Sequence, residues 1–302
     1  PAPPAPRSPL ATLQRRYLEL LRKSLVNELY IENDARFLYI MGAAHNGQGI
    51  DTEVLRNIAV RRPEMMAKLL AEREQGRPWW RVMGRRPDGT QELVNVRNAC
   101  EFTHSMIGAR RMANIEECLD RVREDGVPGD LAETGVWRGG ATVFMRGYLA
   151  AYGMEDRLVW AADSFEGLPK SSAEPDRGLD FSAAAEPVLA VPLEEVQALF
   201  ARYGLLDSRV RFLKGWFRDT LPAAPIERLA LLRLDGDLYE STRDALQALY
   251  GKLSPGGFLL VDDYGDFPPC RKAVDEFRAR HGIDAPIVEV DWSGVYWRKP
   301  FA

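Results

Sequence analysis

Several things are scarce in this chain, and each shortage narrows what it can be. Only three cysteines, Cys100, Cys118 and Cys270, occur in 302 residues, far apart and with no CxxC spacing. That argues against a disulfide framework and for free thiols in a reducing compartment. Positive charge is not in excess: the net charge is −4 and the pI about 5.6. Nucleic-acid binding needs a basic surface, so that class is disfavoured, and Arg61-Arg62 and Arg85-Arg86 read as solvated surface. No apolar run approaches the roughly 18 residues that span a bilayer. The N-terminus lacks a charged-then-apolar signal pattern, so the expectation is a soluble, cytoplasmic protein. Histidine, the commonest general base, is represented by His45, His104 and His281 alone. His104 reads as a buried structural residue and His281 as a charge near a helix end. The spacings GxGxxG, GxSxG, HExxH and Walker A are absent, and the first of these absences disfavours a nicotinamide dehydrogenase.

What is present is a core. Apolar residues make up 46% of the chain, enough for one large domain or two small ones. Residues 1–9, rich in Pro and Ala, read as a linker. Helical spacing follows over 10–30, 51–60 and 63–74, with a turn cluster at Gly84-Arg85-Arg86-Pro87-Asp88-Gly89. Trp79-Trp80 can line a pocket or pack a core or lid. From Asp130 short apolar strands alternate with helices of 10–15 residues, which predicts a mostly parallel sheet. Two late strands, 288–290 and 295–297, broken at Trp292-Ser293-Gly294, predict an antiparallel end.

Three motifs carry chemistry. Glu133-Thr134-Gly135-Val136-Trp137-Arg138-Gly139-Gly140 follows a strand and opens a helix. Its glycines let a ligand approach the backbone, and the helix N-terminus offers N–H groups to a carboxylate or phosphate. Asp163 ends the next strand, where an acidic side chain can accept both hydroxyls of a ribose or serve as a turn residue. Asp235-Gly236-Asp237 ends the apolar run 229–234, and Asp262-Asp263 ends the run 257–261. If those strands are neighbours, Asp235, Asp262 and Asp263 converge; carboxylates crowded in one crevice repel, and a hard cation such as Mg2+ relieves that. Asp237 reads as a proton acceptor, a further ligand or a helix cap.

The motifs together resemble the macrocin O-methyltransferase (TylF-type) family. The likeness runs through Thr103 to Gly108, Asp125 to Asp130, Glu133 to Gly140, Ala162 to Pro169, Gly215 to Pro222, Leu234 to Thr242, Leu253 to Tyr264 and Asp291 to Trp297. It is dense over 100–298 and departs from the pattern between 33 and 100. The resemblance implies a class I, Rossmann-like methyltransferase core over 101–302, preceded by a helical lid and acceptor-binding region over 10–100. It implies use of S-adenosylmethionine and Mg2+. Asp235, Asp262 and Asp263 would be the metal ligands and Asp237 the general base. Ser105, Met106, Glu133, Thr134, Gly135, Val136, Trp137, Asp163, Ser164, Phe165, Glu166, Gly167 and Trp216 would contact the cofactor. The implied acceptor is a hydroxyl of a polyketide or glycosylated natural product, in antibiotic biosynthesis of the macrolide kind. It is either a sugar hydroxyl or a polyketide hydroxyl carried on a carrier protein, and the enzyme would be a homo-oligomer. The alternative is a non-catalytic S-adenosylmethionine- or nucleotide-binding regulator on the same fold, against which the intact acidic quartet speaks.

Overall fold

The computed structural model describes residues 8–76, 79–85, 89–97 and 103–301, with the strands at 79–85 and 91–97 followed as backbone only. The first helix, α1, spans Pro9–Leu25, and the linker expectation at 1–9 falls largely on residues outside those described. The chain divides into two compact units. One is Arg22–Arg110; the other joins the chain up to Leu21 with the chain from Arg111 onward.

The smaller unit holds α2 (Ile31–His45), α3 (Thr52–Arg56), α4 (Ile58–Arg61), α5 (Pro63–Gln75), β1 (Trp79–Arg85) and β2 (Gln91–Arg97). Proline begins α5 and Gly76, at φ +63°, ends it, the usual asymmetry of helix termini. Ile31, Ala35, Ile58 and Leu69 form its core. Inside it Arg73 pairs with Asp34 at 2.5 Å, and Asn27 donates to the same carboxylate at 3.0 Å. Helices stop at Gln75; β1 and β2 then pair antiparallel, Trp79 opposite Arg97, around the expected turn cluster. The sequence reading anticipated the turn and not the strands. Its suggestion for the Trp79 and Trp80 side chains lies outside the described atoms. His104 is half-buried, and its backbone N–H donates to Leu25 O at 3.0 Å.

After α6 (Gly108–Glu124) the larger unit runs β3 (Asp130–Thr134), α7 (Gly140–Ala151), β4 (Val159–Asp163), α8 (Leu193–Arg202), β5 (Val210–Lys214) and α9 (Phe217–Thr220). It continues with β6 (Leu229–Leu234), α10 (Tyr239–Leu249), β7 (Leu253–Val261), α11 (Pro268–His281), β8 (Val288–Glu289) and β9 (Val295–Arg298). Seven strands form one sheet in the order β5-β4-β3-β6-β7-β9-β8. All neighbours are parallel except β7–β9 and β9–β8. Every residue of β6 is buried, as a parallel strand covered by helices on both faces must be; hence its near-continuous apolar run. Leu232, Leu234, Leu259, Val261 and Trp297 pack with α10 and α11 on one face.

The chain leaves β3 for β4 and β5, returns beside β3 as β6, and continues outward to β7. The reversal between β3 and β6 is a topological switch point. In open α/β sheets the ligand crevice lies there, beyond the carboxyl ends of the strands. No described helix is long and apolar enough to cross a membrane.

Candidate active site

The crevice wall on the β3 side is built by left-handed backbone. Gly135 has φ +87°, Trp137 +47° and Gly139 +91°. A Cβ on Gly135 would sit 1.5 Å from the Asp235 carbonyl oxygen. That glycine is therefore required by the protein's own backbone: the turn after β3 touches the loop after β6. α7 starts at Gly140 with no side-chain cap, so its first N–H groups have no side-chain partner at Gly139 and its positive end faces the turn.

Asp163 ties this turn to the loop after β4. Its Oδ2 accepts from Val136 N at 2.6 Å and Trp137 N at 3.3 Å, and its Oδ1 from Phe165 N at 2.7 Å. Burial still outweighs these bonds and holds its pKa above the ordinary carboxylate value. Ser164 Oγ donates to Gly167 O at 2.6 Å and accepts from Glu166 N at 3.0 Å, which closes the next turn around Phe165 at φ +58°. Glu166 is exposed and pairs with Lys214 at 3.6 Å. Gly215 N donates to Asp163 O at 2.9 Å, which puts the half-buried Trp216 at the same edge. Ser105 and Met106 belong to the smaller unit. There Ser105 is buried; its N–H donates to Leu25 O and its carbonyl accepts from Thr103 Oγ1 at 2.7 Å.

The other wall is acidic. β6 and β7 are neighbours, with Leu234 opposite Val261, so both acidic pairs leave the sheet side by side. Asp235, Asp237 and Asp263 each present an oxygen within 4.8 Å of the others. Asp237 is left-handed, φ +53°; it is clamped there because Gly236 N and Asp237 N donate to Asp263 Oδ2 at 3.2 and 3.0 Å. It does not cap α10, whose N-cap residue is Leu238. Burial, with Asp262 beside it, lifts the Asp235 pKa to about 6; burial, with Asp235 and Asp262 near, lifts Asp237 to about 8. Asp263 is pushed well up for the same reasons. Oxygen-only donors that resist being charged together suit a hard cation. Ligand oxygens around one Mg2+ lie at most about 4.2 Å apart, so the group needs to close by little.

Asp262 is engaged differently. Both of its oxygens accept from guanidinium groups, Oδ1 from Arg233 and Oδ2 from Arg111. Of the three expected metal ligands, the structure thus groups Asp235 and Asp263 with Asp237 and turns Asp262 to two arginines. Arg233 projects from the middle of β6 and is 2% exposed. It also donates to Glu133 at 2.5 Å and to Asp235 at 2.9 Å. Glu133 is itself fully buried, and burial raises its pKa to about 7; it meets this arginine inside the sheet, beside the glycine turn. Arg111, on α6, adds Asp291 at 3.0 Å. Sequence reasoning missed both arginines. The signal for Arg233 was available: a lone cation within an apolar strand, two residues before an aspartate. None existed for Arg111, which meets Asp262 from 151 positions away.

Residues 14–299 match the family described as macrocin O-methyltransferase (TylF). The chain is 54% identical over 219 residues to a Streptomyces olivaceus protein named 8-demethyl-8-(2,3-dimethoxy-alpha-L-rhamnosyl)-tetracenomycin-C 4'-O-methyltransferase, covering 72% of this chain and 83% of that one. It is 54% identical over 200 residues to the mycinamicin III 3''-O-methyltransferase of Micromonospora griseorubida, covering 65% and 78%. Among solved structures, the O-methyltransferase NovP matches with a TM-score of 0.73 at 40% identity, over 95% of this chain and 99% of that one. The calicheamicin methyltransferase CalS11 shares the fold, with a TM-score of 0.50 at 20% identity over 97% and 94%. A family match over 14–299 and relatives at 54% identity show that the chain belongs to the macrocin O-methyltransferase family.

Proposed function

We propose that this enzyme methylates a sugar hydroxyl of a glycosylated natural product, using S-adenosylmethionine and Mg2+. The observation that carries the reading is the cluster of Asp235, Asp237 and Asp263 directly across a backbone contact from the glycine turn after β3. The acceptor class is supported by the relatives, whose names specify glycosylated tetracenomycin and mycinamicin substrates. When bound, S-adenosylmethionine supplies an electrophilic methyl group, and Mg2+ supplies the charge that acidifies and orients an acceptor hydroxyl.

The protein's part is positioning and proton transfer. The N–H groups at the start of α7 suit the cofactor's carboxylate, and the Val136–Phe165 turns fixed by Asp163, with Trp216, line the space for its nucleoside. Asp235 and Asp263 are the two carboxylates assigned to the cation, because each keeps an oxygen free of arginine. Asp262 instead fixes Arg111 and Arg233, and through Arg233 the two walls. Asp237, grouped with Asp235 and Asp263, accepts the hydroxyl proton. A vicinal diol would suit the site, since two oxygens can share one cation.

The direct test is mass-spectrometric. The protein with S-adenosylmethionine, Mg2+ and a panel of glycosylated polyketides should yield a singly methylated product on the sugar, and EDTA should abolish it. Full turnover in EDTA would sink the metal assignment. A product methylated only when the hydroxyl is tethered to a carrier protein would replace the sugar acceptor.

A stability measurement tests the cluster separately. Asp237 titrates near 8 in the folded chain and near 3.8 when unfolded. The folded state therefore binds more protons between those values, and metal-free stability falls as pH rises through that window. Mg2+ binds the deprotonated form, so the melting-temperature gain from Mg2+ should be small at pH 5.5 and larger at pH 8. A gain independent of pH would contradict the cluster as the cation's seat. In Asp237→Asn the metal-free pH dependence should flatten.

A further inference from the structure

Between Gly167 and α8 the chain crosses the carboxyl edge of the sheet with only short helical turns at Glu174–Asp176 and Pro187–Leu189. This segment is fastened to three of the loops that build the site. Trp137 Nε1, in the turn after β3, donates to Val188 O at 2.8 Å. Phe181 meets Phe267, in the loop after β7, edge to face with centroids 5.6 Å apart. The third anchor is Asp176, which is 2% exposed. Its Oδ1 accepts from Tyr239 N at 2.7 Å, and its Oδ2 from Glu240 N at 3.2 Å and Ser171 Oγ at 2.5 Å.

That third contact supplies something α10 lacks. The helix has Leu238 at its N-cap position and no capping side chain of its own. A helix start without a cap frays, and a carboxylate is the acceptor its positive end prefers. Asp176 provides the cap from 63 positions upstream. The helix so capped begins two residues after Asp237. The left-handed turn at Asp237 is thus held on one side by Asp263, which accepts from Asp237 N, and on the other by Asp176, which accepts from Tyr239 N.

We propose that Asp176 is a positioning residue for the methyl transfer: it docks the 168–192 strap and sets the geometry of the Asp237 turn through a single carboxylate. This rests on the cation and cofactor assignments made above. With the strap undocked, α10 loses its cap and Asp237 loses one of its two clamps, while the turns that face the cofactor keep the Asp163 bonds that shape them.

The test compares wild type, Asp176→Ala and Asp176→Asn by calorimetric titration with Mg2+ alone, titration with S-adenosylmethionine alone, and steady-state kinetics. Losing a helix cap corresponds to about a fivefold to tenfold change in an equilibrium. Mg2+ affinity in the alanine variant should fall by about that factor, with kcat falling more than the acceptor KM rises. Affinity for S-adenosylmethionine should stay within about twofold. Asn keeps an oxygen for Tyr239 N and should recover most of both losses. Wild-type Mg2+ affinity and kcat in Asp176→Ala would overturn the proposal, as would equal loss of cation and cofactor binding in both variants. If the alanine variant does not fold, Asp176→Glu carries the test: it keeps the charge and shifts it by one methylene. Weakened Mg2+ binding with cofactor binding intact supports the role; unchanged Mg2+ binding overturns it. Failure of the wild type to bind Mg2+ or S-adenosylmethionine would instead count against the assignments beneath it.

Discussion

Arg233→Met should cost the larger unit much of its stability and render the chain poorly soluble at neutral pH. The guanidinium is 2% exposed and contacts Glu133, Asp235 and Asp262. Replacing it removes the cation that Glu133 contacts and one of the two that Asp262 contacts. Removing one partner of a buried ion pair typically costs 3–5 kcal/mol, because the other charge stays buried and uncompensated. That is a large share of the roughly 5–15 kcal/mol by which a domain is folded. Thermal unfolding of the variant should begin roughly 10 °C lower. The deficit has a sign in pH. Without the arginine the folded pKa values of Glu133 and Asp235 rise further above their unfolded ones. Stability relative to wild type is therefore lost as pH rises, and the gap should be wider at pH 8 than at pH 5.5. Arg233→Lys keeps the charge but cannot reach three carboxylates with one planar fork, and should fall between. A melting temperature within about a degree of wild type in Arg233→Met would show that the network is dispensable.

Asp237→Asn should retain the fold and lower kcat by about 100- to 10,000-fold, the usual contribution of a general base. Its side chain is grouped with those of Asp235 and Asp263, and an amide there cannot take a proton. Because Asp235 and Asp263 remain, Mg2+ should still bind the variant, although the geometry brings Asp237 into the same group. Calorimetric titration with Mg2+ separates the two roles. Loss of turnover with cation binding retained assigns the base; loss of both makes Asp237 a ligand. Unchanged turnover removes it from the chemistry. The comparison with Asp263→Ala matters, since that change removes a candidate ligand and also the acceptor that holds Asp237 in its left-handed turn.

Much of this was readable in the sequence because parallel strands write themselves plainly. Leu229–Leu234 is apolar but for one residue, and acidic residues follow immediately. Strand, turn and acidic strand end were visible together, and the neighbouring of β6 and β7 was the one assumption needed to bring Asp235, Asp237 and Asp263 together, while Asp262 turns to two arginines. β3, Asp130–Thr134, carries little apolar signal and was legible through the glycine turn after it. The hairpin of β1 and β2 was not legible: its strands are stabilised by pairing with each other, a property of two segments, and only the turn between them has local chemistry. β7 begins at Leu253, earlier than its Pro255-Gly256-Gly257 suggests, because Gly256 N finds Lys299 O and the pairing with β6 shifts register there. The cross-chain partners were out of reach for the same reason. Nothing local to Asp176 or Arg111 says that a helix start or an aspartate waits far along the chain.

The sheet order has a consequence for how the protein is made. β3 lies inside the sheet between β4 and β6, and its β6 side stays unpaired until β6 has been synthesised. That comes roughly a hundred residues later, on the order of 5–20 s on a ribosome. During that interval β3, β4 and β5 can assemble into a three-stranded half that ends in an open hydrophobic edge, a template for wrong pairing. The seam at which the nascent chain completes its fold is the β3–β6 junction, where the two walls of the crevice meet. A chain stalled or truncated before Leu229 would therefore be both inactive and prone to aggregate, and a site split across the seam acts as its own check that synthesis has run to the end.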